Sequence, residues 1–398
     1  MTWELSDLLR AIATTLVIGI HASHHWWFGV NNVTNINFEI FIDTIVNQVG
    51  RFTVPIFVIL SGYALSKSEE KRPFDLKIFV QRRLWRIVPP YVLFTLLNVV
   101  GRSQFRDSDW LERGQQIWQA IATGMGDYHL YFLGIILQCY VCYPFLRHIS
   151  FSVKNLYILL IFTFSLFSLR WSTANFGLLP NIGNLLSDGN HVIYWLPYFQ
   201  IGIWLAKDRE WTNLFVAKWR SRLWGYLFAI AATLELSEFY WMAIFKNSAE
   251  AIGHYTRPTV VLMTLSFLLW SISWKSWQSR SFPISIAMQE IARTNQNPNK
   301  EKRRIAPPFF VWVLCPKLKL SCHIQDLWKS FQISIKTLAN ASFTTYLIHV
   351  WILRAIAPLE IVGGILFVLL AAVISWLIGI TVWKLVKTKR WIEIILGA

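Results

Sequence analysis

Long apolar stretches separated by short polar and basic segments make up most of this chain. Many of them approach the roughly 20 residues that a helix needs to cross a hydrocarbon core of about 30 Å. The pattern predicts membrane-spanning helices at 8–28, 44–65, 84–101, 129–146, 156–171, 191–206, 223–243, 258–274, 338–356 and 362–383. We therefore predict an all-α polytopic membrane protein, a bundle of about ten transmembrane helices in a single domain over residues 1–398.

Composition and charge add an orientation to this bundle. The 398 residues are 55% hydrophobic and 15% charged, with a formal net charge of +16. A high positive charge also suits nucleic acid, but here the basic residues lie between apolar spans, so we predict a lipid bilayer and no nucleic acid as partner. Cytoplasmic N- and C-termini place most basic residues on the inner side, as the positive-inside rule requires: Lys67, Lys71, Arg72, Lys77, Arg82, Arg83, Arg86, Arg147, Lys154, Lys207, Arg209, Lys218, Arg220, Arg222, Lys384, Lys387, Lys389 and Arg390.

Segment 275–337 breaks the apolar pattern. Its residues 293–304 are polar and cationic, which is typical of a loosely held loop. The apolar run that follows, 306–316, is too short to span the bilayer and predicts an interfacial or re-entrant piece. We predict a cytoplasmic insertion over 275–337, and both a tolerated insertion and a regulatory or partner-binding loop remain open.

The first span contains two ionisable residues, Arg10 and His21. Eleven residues are about three helical turns, so the two side chains share one face at a separation of roughly 16 Å. Ionisable residues inside a bilayer are costly and mark a function or a buried pair. Two interpretations stay open: a substrate that lies along the helix, or an interfacial arginine with a histidine that bonds to another helix.

A cationic group is predicted at the cytoplasmic ends of the first three spans. Arg10 begins the first span, Ser61 and Gly62 lie near the end of the second, and Arg83 and Arg86 project from one face of the third. The arginine fork suits phosphate, and a glycine permits close approach of the backbone. These residues are candidates for a multiply phosphorylated ligand. The alternative is that the arginines bind anionic lipid headgroups.

Three titratable residues are predicted at a similar depth in the bilayer. At 1.5 Å per residue, His21 lies roughly 20 Å from the cytoplasmic boundary, and Glu235 and His349 lie at about 17–18 Å. A histidine beside a carboxylate or a second histidine is a plausible acid–base pair, so all three are candidate catalytic residues. Each also has a simpler interpretation as a contact between helices.

No metal site or disulfide is predicted. His24 and His25 lie one turn after His21, but three histidines from successive turns of one helix rarely complete a tetrahedral site. We place His24 and His25 at the outer interface instead. Cys139 and Cys142 form a CxxC within an apolar segment, where small buried apolar residues are more typical than a redox pair.

Five segments resemble, in order, the motifs of the acyltransferase 3 family of integral-membrane O-acyltransferases. They are LLRAIATTLVIGIHA, FTVPIFVILSGYALS, FVQRRLWRIVPPY, YFLGIILQCYVCYPFL and ASFTTYLIHVWIL. The resemblance covers about residues 5–210 and 338–385. The chain departs from the family in the long 275–337 segment and in the absence of an appended esterase-like domain, which leaves the acceptor open.

The resemblance implies transfer of an acetyl or other short acyl group from cytosolic acyl-CoA to a hydroxyl of an extracytoplasmic glycan or a small molecule. Acyl-CoA is then a co-substrate and no resident cofactor is implied. The resemblance also implies a multi-pass protein of the bacterial-type inner membrane, in which His21, Arg10, Arg83 and Arg86 matter most. The rival function is a transporter or flippase of a glycan or lipid intermediate, but the sequence has neither an inverted repeat nor paired broken helices.

Overall fold

The computed structural model describes residues 1–29, 38–70, 72–102, 105, 107–124, 126, 127, 129–177, 188–207, 220–246, 255–281 and 315–387. In these ranges the chain is helical and contains no β-strand, which confirms the all-α class. The α-helices are α1 (Trp3–Gly29), α2 (Phe38–Val49), α3 (Thr53–Glu69), α4 (Leu76–Val100), α5 (Trp110–Thr123), α6 (Tyr131–Leu146), α7 (Val153–Phe176), α8 (Leu196–Lys207), α9 (Arg220–Lys246), α10 (Pro258–Ser281), α11 (Cys315–Ile356) and α12 (Gly364–Lys387).

Each predicted span overlaps these helices, although 44–65 crosses from α2 into α3 and 191–206 begins before α8; five described segments are long and apolar enough to cross a membrane. These are Trp3–Ser23, Phe38–Glu69, Val153–Phe176, Gln332–Leu359 and Gly364–Lys387. The second joins α2 and α3 through a short 3₁₀ turn, Gly50–Phe52. The protein is thus a multi-pass membrane protein, whereas the count of ten spans and the cytoplasmic termini remain predictions.

Two elements differ from the sequence-based expectation. Helix α5 was not predicted because its residues alternate between polar and apolar without a long apolar run; Asp109 caps it by accepting a hydrogen bond from the amide of Glu112 at 2.8 Å. Helices also enter both ends of segment 275–337, since α10 continues to Ser281 and α11 begins at Cys315. The predicted insertion is therefore helical over 275–281 and 315–337, and residues 282–314, which include the predicted loop at 293–304, lie outside the described part.

Close packing between α3 and α8 sets the centre of the bundle. A methyl group on Gly62 would clash with the backbone carbonyl of Phe199, and one on Gly202 would clash with the carbonyl of Ile59. The two glycines therefore let the helix backbones touch, a common device where helices associate in a membrane. Every residue of α8 from Pro197 to Leu205 is buried.

A polar clasp fixes the connection between α3 and α4. Glu69 accepts a hydrogen bond from the Tyr143 hydroxyl at 2.7 Å and forms an ion pair with Arg147 at 3.0 Å. The Arg147 guanidinium also lies 4.1 Å from the centre of the Phe74 ring. Asp75 then begins α4 by accepting from the amide of Ile78 at 2.8 Å. The clasp thereby holds the first turns of α4, which carry the predicted arginines.

Candidate active site

A cavity of about 590 Å³ opens between α1, α3, α4, α6, α11 and α12. This volume lies in the range of small-molecule sites, which is about 300–1,000 Å³. The lining combines a cationic end with an apolar interior: Trp3, Arg10, Phe57, Leu60, Ser61, Ala64, Ser68, Arg83, Arg86, Ile87, Phe132, Leu133, Ile136, Tyr140, Ala339, Asn340, Ser342, Phe343, Tyr346, Trp383 and Lys387. No carboxylate is present among these lining residues.

Four of the five residues predicted to bind a phosphorylated ligand line this cavity: Arg10, Ser61, Arg83 and Arg86. Arg10 is half-buried and lies 3.5 Å from Asp7, so part of its charge is balanced. Its guanidinium is also close enough to Arg86 for the two charges to interact. Several cations without a carboxylate in the lining give this end of the cavity a positive electrostatic potential, which attracts an anion.

Tyr140 organises the same end, although sequence reasoning did not identify it. Its hydroxyl lies 3.0 Å from the hydroxyl of Ser61. Its ring lies 5.6 Å from the guanidinium carbon of Arg83, which is also 5.9 Å from the ring of Phe79. Cation–π contacts of this kind restrict where the guanidinium lies. The structure therefore holds Arg83 on the cavity wall.

Gly62 has a different position from the one expected. It is absent from the cavity lining and faces α8, where its missing side chain lets the backbone of Phe199 approach. Packing against α8 accounts for this glycine, and the interpretation that it admits a ligand stays a prediction. It was made because a glycine next to Ser61 suits both a binding loop and a helix contact, and the sequence does not show which side of α3 meets α8.

His21 and His349 come together from α1 and α11. Their ring centres are 5.1 Å apart; His21 is half-buried and His349 has no exposed surface. Nδ1 of His349 lies 2.6 Å from the backbone carbonyl oxygen of Tyr346. Since a carbonyl only accepts, Nδ1 carries the proton and Nε2 of the neutral ring is the acceptor. Within the described residues Nε2 has no hydrogen-bond partner.

The cavity ends one helical turn from this histidine pair. Tyr346 lines its interior, and the Tyr346 ring centre is 5.7 Å from that of His349. A third histidine, His129, is buried beside them with its ring centre 5.3 Å from that of His349, and its backbone carbonyl accepts a hydrogen bond from the Tyr346 hydroxyl at 2.5 Å. Sequence reasoning missed His129, which begins the predicted span 129–146, because one sequence does not show that this residue meets α11.

Glu235 belongs to a different cluster. It forms an ion pair with Arg257 and accepts a hydrogen bond from Thr259, and it is fully buried. Among the described residues neither His21 nor His349 is a polar partner of this carboxylate. A buried carboxylate that is held by a fixed cation has its charge compensated. The ion pair therefore accounts for Glu235 without a part in proton transfer.

The Glu235 ion pair connects to α1 through a chain of hydrogen bonds. Arg257 donates to the Gln48 side chain at 2.9 Å, and Gln48 donates to Asn47 at 3.0 Å. Asn47 in turn donates to the backbone carbonyl of Ile20 at 3.1 Å and to the hydroxyl of Ser23 at 3.3 Å. These two acceptors lie on either side of His21 in the chain. The cluster therefore anchors α1 where it carries the candidate catalytic histidine.

The side chains of His24 and His25 lie outside the described residues, so their predicted place at the outer interface stays untested.

Comparison with known proteins identifies one family. A family model for an acyltransferase domain matches residues 4–294, which include Arg10, His21, Arg83 and Arg86. No curated protein and no solved structure matches the chain. Helix α11, with His349, lies beyond the matched residues.

Proposed function

Because the chain belongs to the acyltransferase 3 family, we propose that this membrane acyltransferase moves a short acyl group, acetyl in the first place, from cytosolic acyl-CoA to a hydroxyl outside the cytoplasm. The acceptor is a glycan or a related small molecule, as the family resemblance implies. One observation carries the proposal: a single cavity joins the cationic end at Arg10, Arg83 and Arg86 to Tyr346, one turn from the histidine pair.

The cationic end suits the phosphates of the donor. Coenzyme A carries a diphosphate and a 3′-phosphate, and the planar fork of arginine binds such groups through two parallel hydrogen bonds. Arg83 and Arg86 lie one turn apart on α4, and Arg10 faces them from α1. Lipid headgroups also attract arginines, but a headgroup alone does not require the enclosed space that extends inward from these side chains.

The interior of the cavity suits the pantetheine arm. Phe57, Phe132 and Phe343 supply apolar surface, while Asn340 and Ser342 supply polar groups for the two amides of the arm. Arg10 and His21 are three helical turns apart, roughly 16 Å. An extended pantetheine covers such a distance, so phosphates held at the arginines leave the thioester near the histidines.

We assign the role of general base to His21, with His349 as its partner. The imidazole of His21 takes the proton of the acceptor hydroxyl, and the hydroxyl oxygen attacks the thioester carbonyl carbon. The carbon–sulfur bond then breaks, and the thiolate of coenzyme A receives the proton from the imidazolium. Nε2 of His349 is an acceptor, so this residue stabilises the imidazolium or orients the hydroxyl.

Glu235, which was a candidate for the same chemistry, is assigned a structural role. Its ion pair with Arg257 holds the hydrogen-bonded chain that reaches α1. The charge of this carboxylate is already compensated by the guanidinium, so Glu235 is committed to the ion pair.

Inverted membrane vesicles test the function, since they expose the cytoplasmic face to added donor. Vesicles that contain the protein and the glycans of the host receive acetyl-CoA labelled in the acetyl group. We expect label in the glycan fraction and release of free coenzyme A, and neither with His21→Ala protein inserted to the same level. Transport of glycan without consumption of the thioester would instead support a flippase.

A further inference from the structure

Three residues at the cationic end of the cavity have no part in the function proposed above. Trp3, Trp383 and Lys387, here named the tryptophan wall, line the cavity from α1 and α12. The Lys387 ammonium lies 5.2 Å from the centre of the Trp383 ring. Trp3 is 41% exposed and meets the ring of Tyr63 edge-on at 5.6 Å. The wall thus offers an accessible indole at Trp3 and, at Trp383, a second indole that lies next to an ammonium group.

The register between α1 and α12 places this wall at the level of Arg10. The Trp376 indole donates to the hydroxyl of Thr15 at 2.9 Å, and the two helices run antiparallel. Seven residues are about two helical turns. Moving that far from this contact on each helix brings Trp383 level with Leu8, which is about half a turn from Arg10. The wall and the arginines therefore share one end of the cavity.

Charge divides between the two sides of this end. Arg83 and Arg86 lie on α4 and Arg10 lies on α1, whereas α12 contributes Lys387. A diphosphate carries about two negative charges, and a phosphate monoester carries about 1.5 to 2 at neutral pH. Arginine forks match the oxygens of a diphosphate, and a lysine binds a terminal phosphate as a point charge. The arrangement therefore offers two anion subsites, one at the arginines of α1 and α4 and one at Lys387 of α12.

We propose that the tryptophan wall is the nucleotide subsite of the donor: Trp383 and Trp3 stack on the adenine ring, and Lys387 binds the 3′-phosphate. The inference rests on the proposed function, because it takes acyl-CoA as the donor. It adds a selectivity. A site that binds the nucleotide prefers coenzyme A thioesters to acyl groups carried on phosphopantetheine alone, which lacks both the adenine and the 3′-phosphate.

Interfacial tryptophans also anchor helices in the headgroup region without binding any nucleotide. The two roles differ in what they respond to. An anchor acts equally whichever part of the donor is present, whereas a nucleotide subsite responds to removal of the adenine or of the 3′-phosphate. Binding of shortened ligands to both wild-type and substituted protein therefore distinguishes a membrane anchor from a nucleotide subsite.

The test measures equilibrium binding to the full-length protein in lipid nanodiscs by isothermal titration calorimetry. The ligands are coenzyme A, 3′-dephospho-coenzyme A and 4′-phosphopantetheine. We expect wild-type protein to bind coenzyme A about tenfold more tightly than the dephosphorylated form, as for a charge-assisted contact. Lys387→Gln should bind coenzyme A about tenfold more weakly and should no longer distinguish these two ligands. Lys384→Gln is the matched control, because Lys384 lies one turn earlier on α12 and outside the cavity lining.

The indoles are tested with the same ligands. Trp383→Leu should weaken coenzyme A binding about tenfold, since stacking on an aromatic ring contributes strongly for every base. It should leave 4′-phosphopantetheine unchanged, and Trp383→Phe should recover most of the loss. These comparisons are made between ligands on one folded protein, so a general loss of stability does not mimic them.

Three further results would each overturn a separate claim. If wild-type protein binds none of the three ligands, the acyl-CoA donor of the proposed function is wrong, and this subsite with it. If coenzyme A binds but Lys387→Gln and Lys384→Gln discriminate the 3′-phosphate as wild type does, the donor stands and the lysine assignment is wrong. An equal loss for all three ligands in Trp383→Leu would make the tryptophans membrane anchors.

Discussion

Replacement of the two histidines provides the most direct test of the chemistry. His21→Gln preserves a hydrogen-bonding side chain of similar length but removes the proton acceptor. A positioned general base contributes about 10²- to 10⁴-fold to the rate. We therefore expect His21→Gln to slow acyl transfer by about a hundredfold or more, in protein that still inserts and binds donor.

The contact between the two rings makes the double variant informative. The centres of His21 and His349 are 5.1 Å apart, and residues that act as one unit give strongly non-additive effects on the rate. If one histidine takes the proton and the other stabilises the resulting imidazolium, the double variant should be little slower than His21→Gln alone. If the two histidines contributed independently, the fold losses in rate of the two single variants would multiply in the double variant.

The assay is the initial rate of transfer from saturating labelled acetyl-CoA in inverted vesicles, normalised to inserted protein. His148→Gln is the control, because His148 is exposed at the end of α6 and outside the cavity lining. The wild-type rate should fall at acidic pH, because a protonated ring accepts no proton. Near-normal transfer by His21→Gln would refute the catalytic assignment and leave this residue as a contact between helices.

Three further predictions use other parts of the structure. Arg83→Ala or Arg86→Ala should raise the KM for acetyl-CoA about ten- to a hundredfold, the loss expected for a hydrogen bond to a charged group, with little change in kcat; an unchanged KM in both would assign these arginines to lipid headgroups. Glu235→Gln should lower the free energy of unfolding by about 3–5 kcal/mol, because the buried Arg257 loses the closer of its two carboxylate partners and keeps only Glu238 at 3.7 Å, and addition of Arg257→Gln should restore part of it; a rate loss without a stability loss would return Glu235 to the catalytic site. Reporter fusions after residues 72, 210 and 300 should read cytoplasmic, and those after 33, 110 and 186 external; an external signal at 300 would contradict the predicted topology.

Much of the fold was predictable, because apolar length is a strong signal in a membrane protein. Every predicted span overlaps helical residues, although 44–65 crosses from α2 into α3. The cationic end of the cavity could be predicted for a related reason. Arg10, Arg83 and Arg86 are charged residues at the ends of spans, and the topology brings those ends to one face. Contacts between residues remote in the chain were not accessible. His129, and the wall that α12 contributes, depend on which helices are neighbours, and one sequence does not state that.

The three residues predicted at one depth show where sequence reasoning stops. Depth is a single coordinate, and it predicted a similar level for His21, His349 and Glu235. Helix α1 packs directly on α11, so the first two meet, whereas α9, which carries Glu235, packs against α10 and α2. Glu235 therefore reaches α1 only through Arg257, Gln48 and Asn47. Glu235 is predicted at a depth similar to that of the histidines, but its helix packs against α10 and α2, so it influences the position of α1 and takes no part in proton transfer. Substitution of Glu235 should therefore lower the stability, whereas substitution of His21 or His349 should lower the rate of acyl transfer.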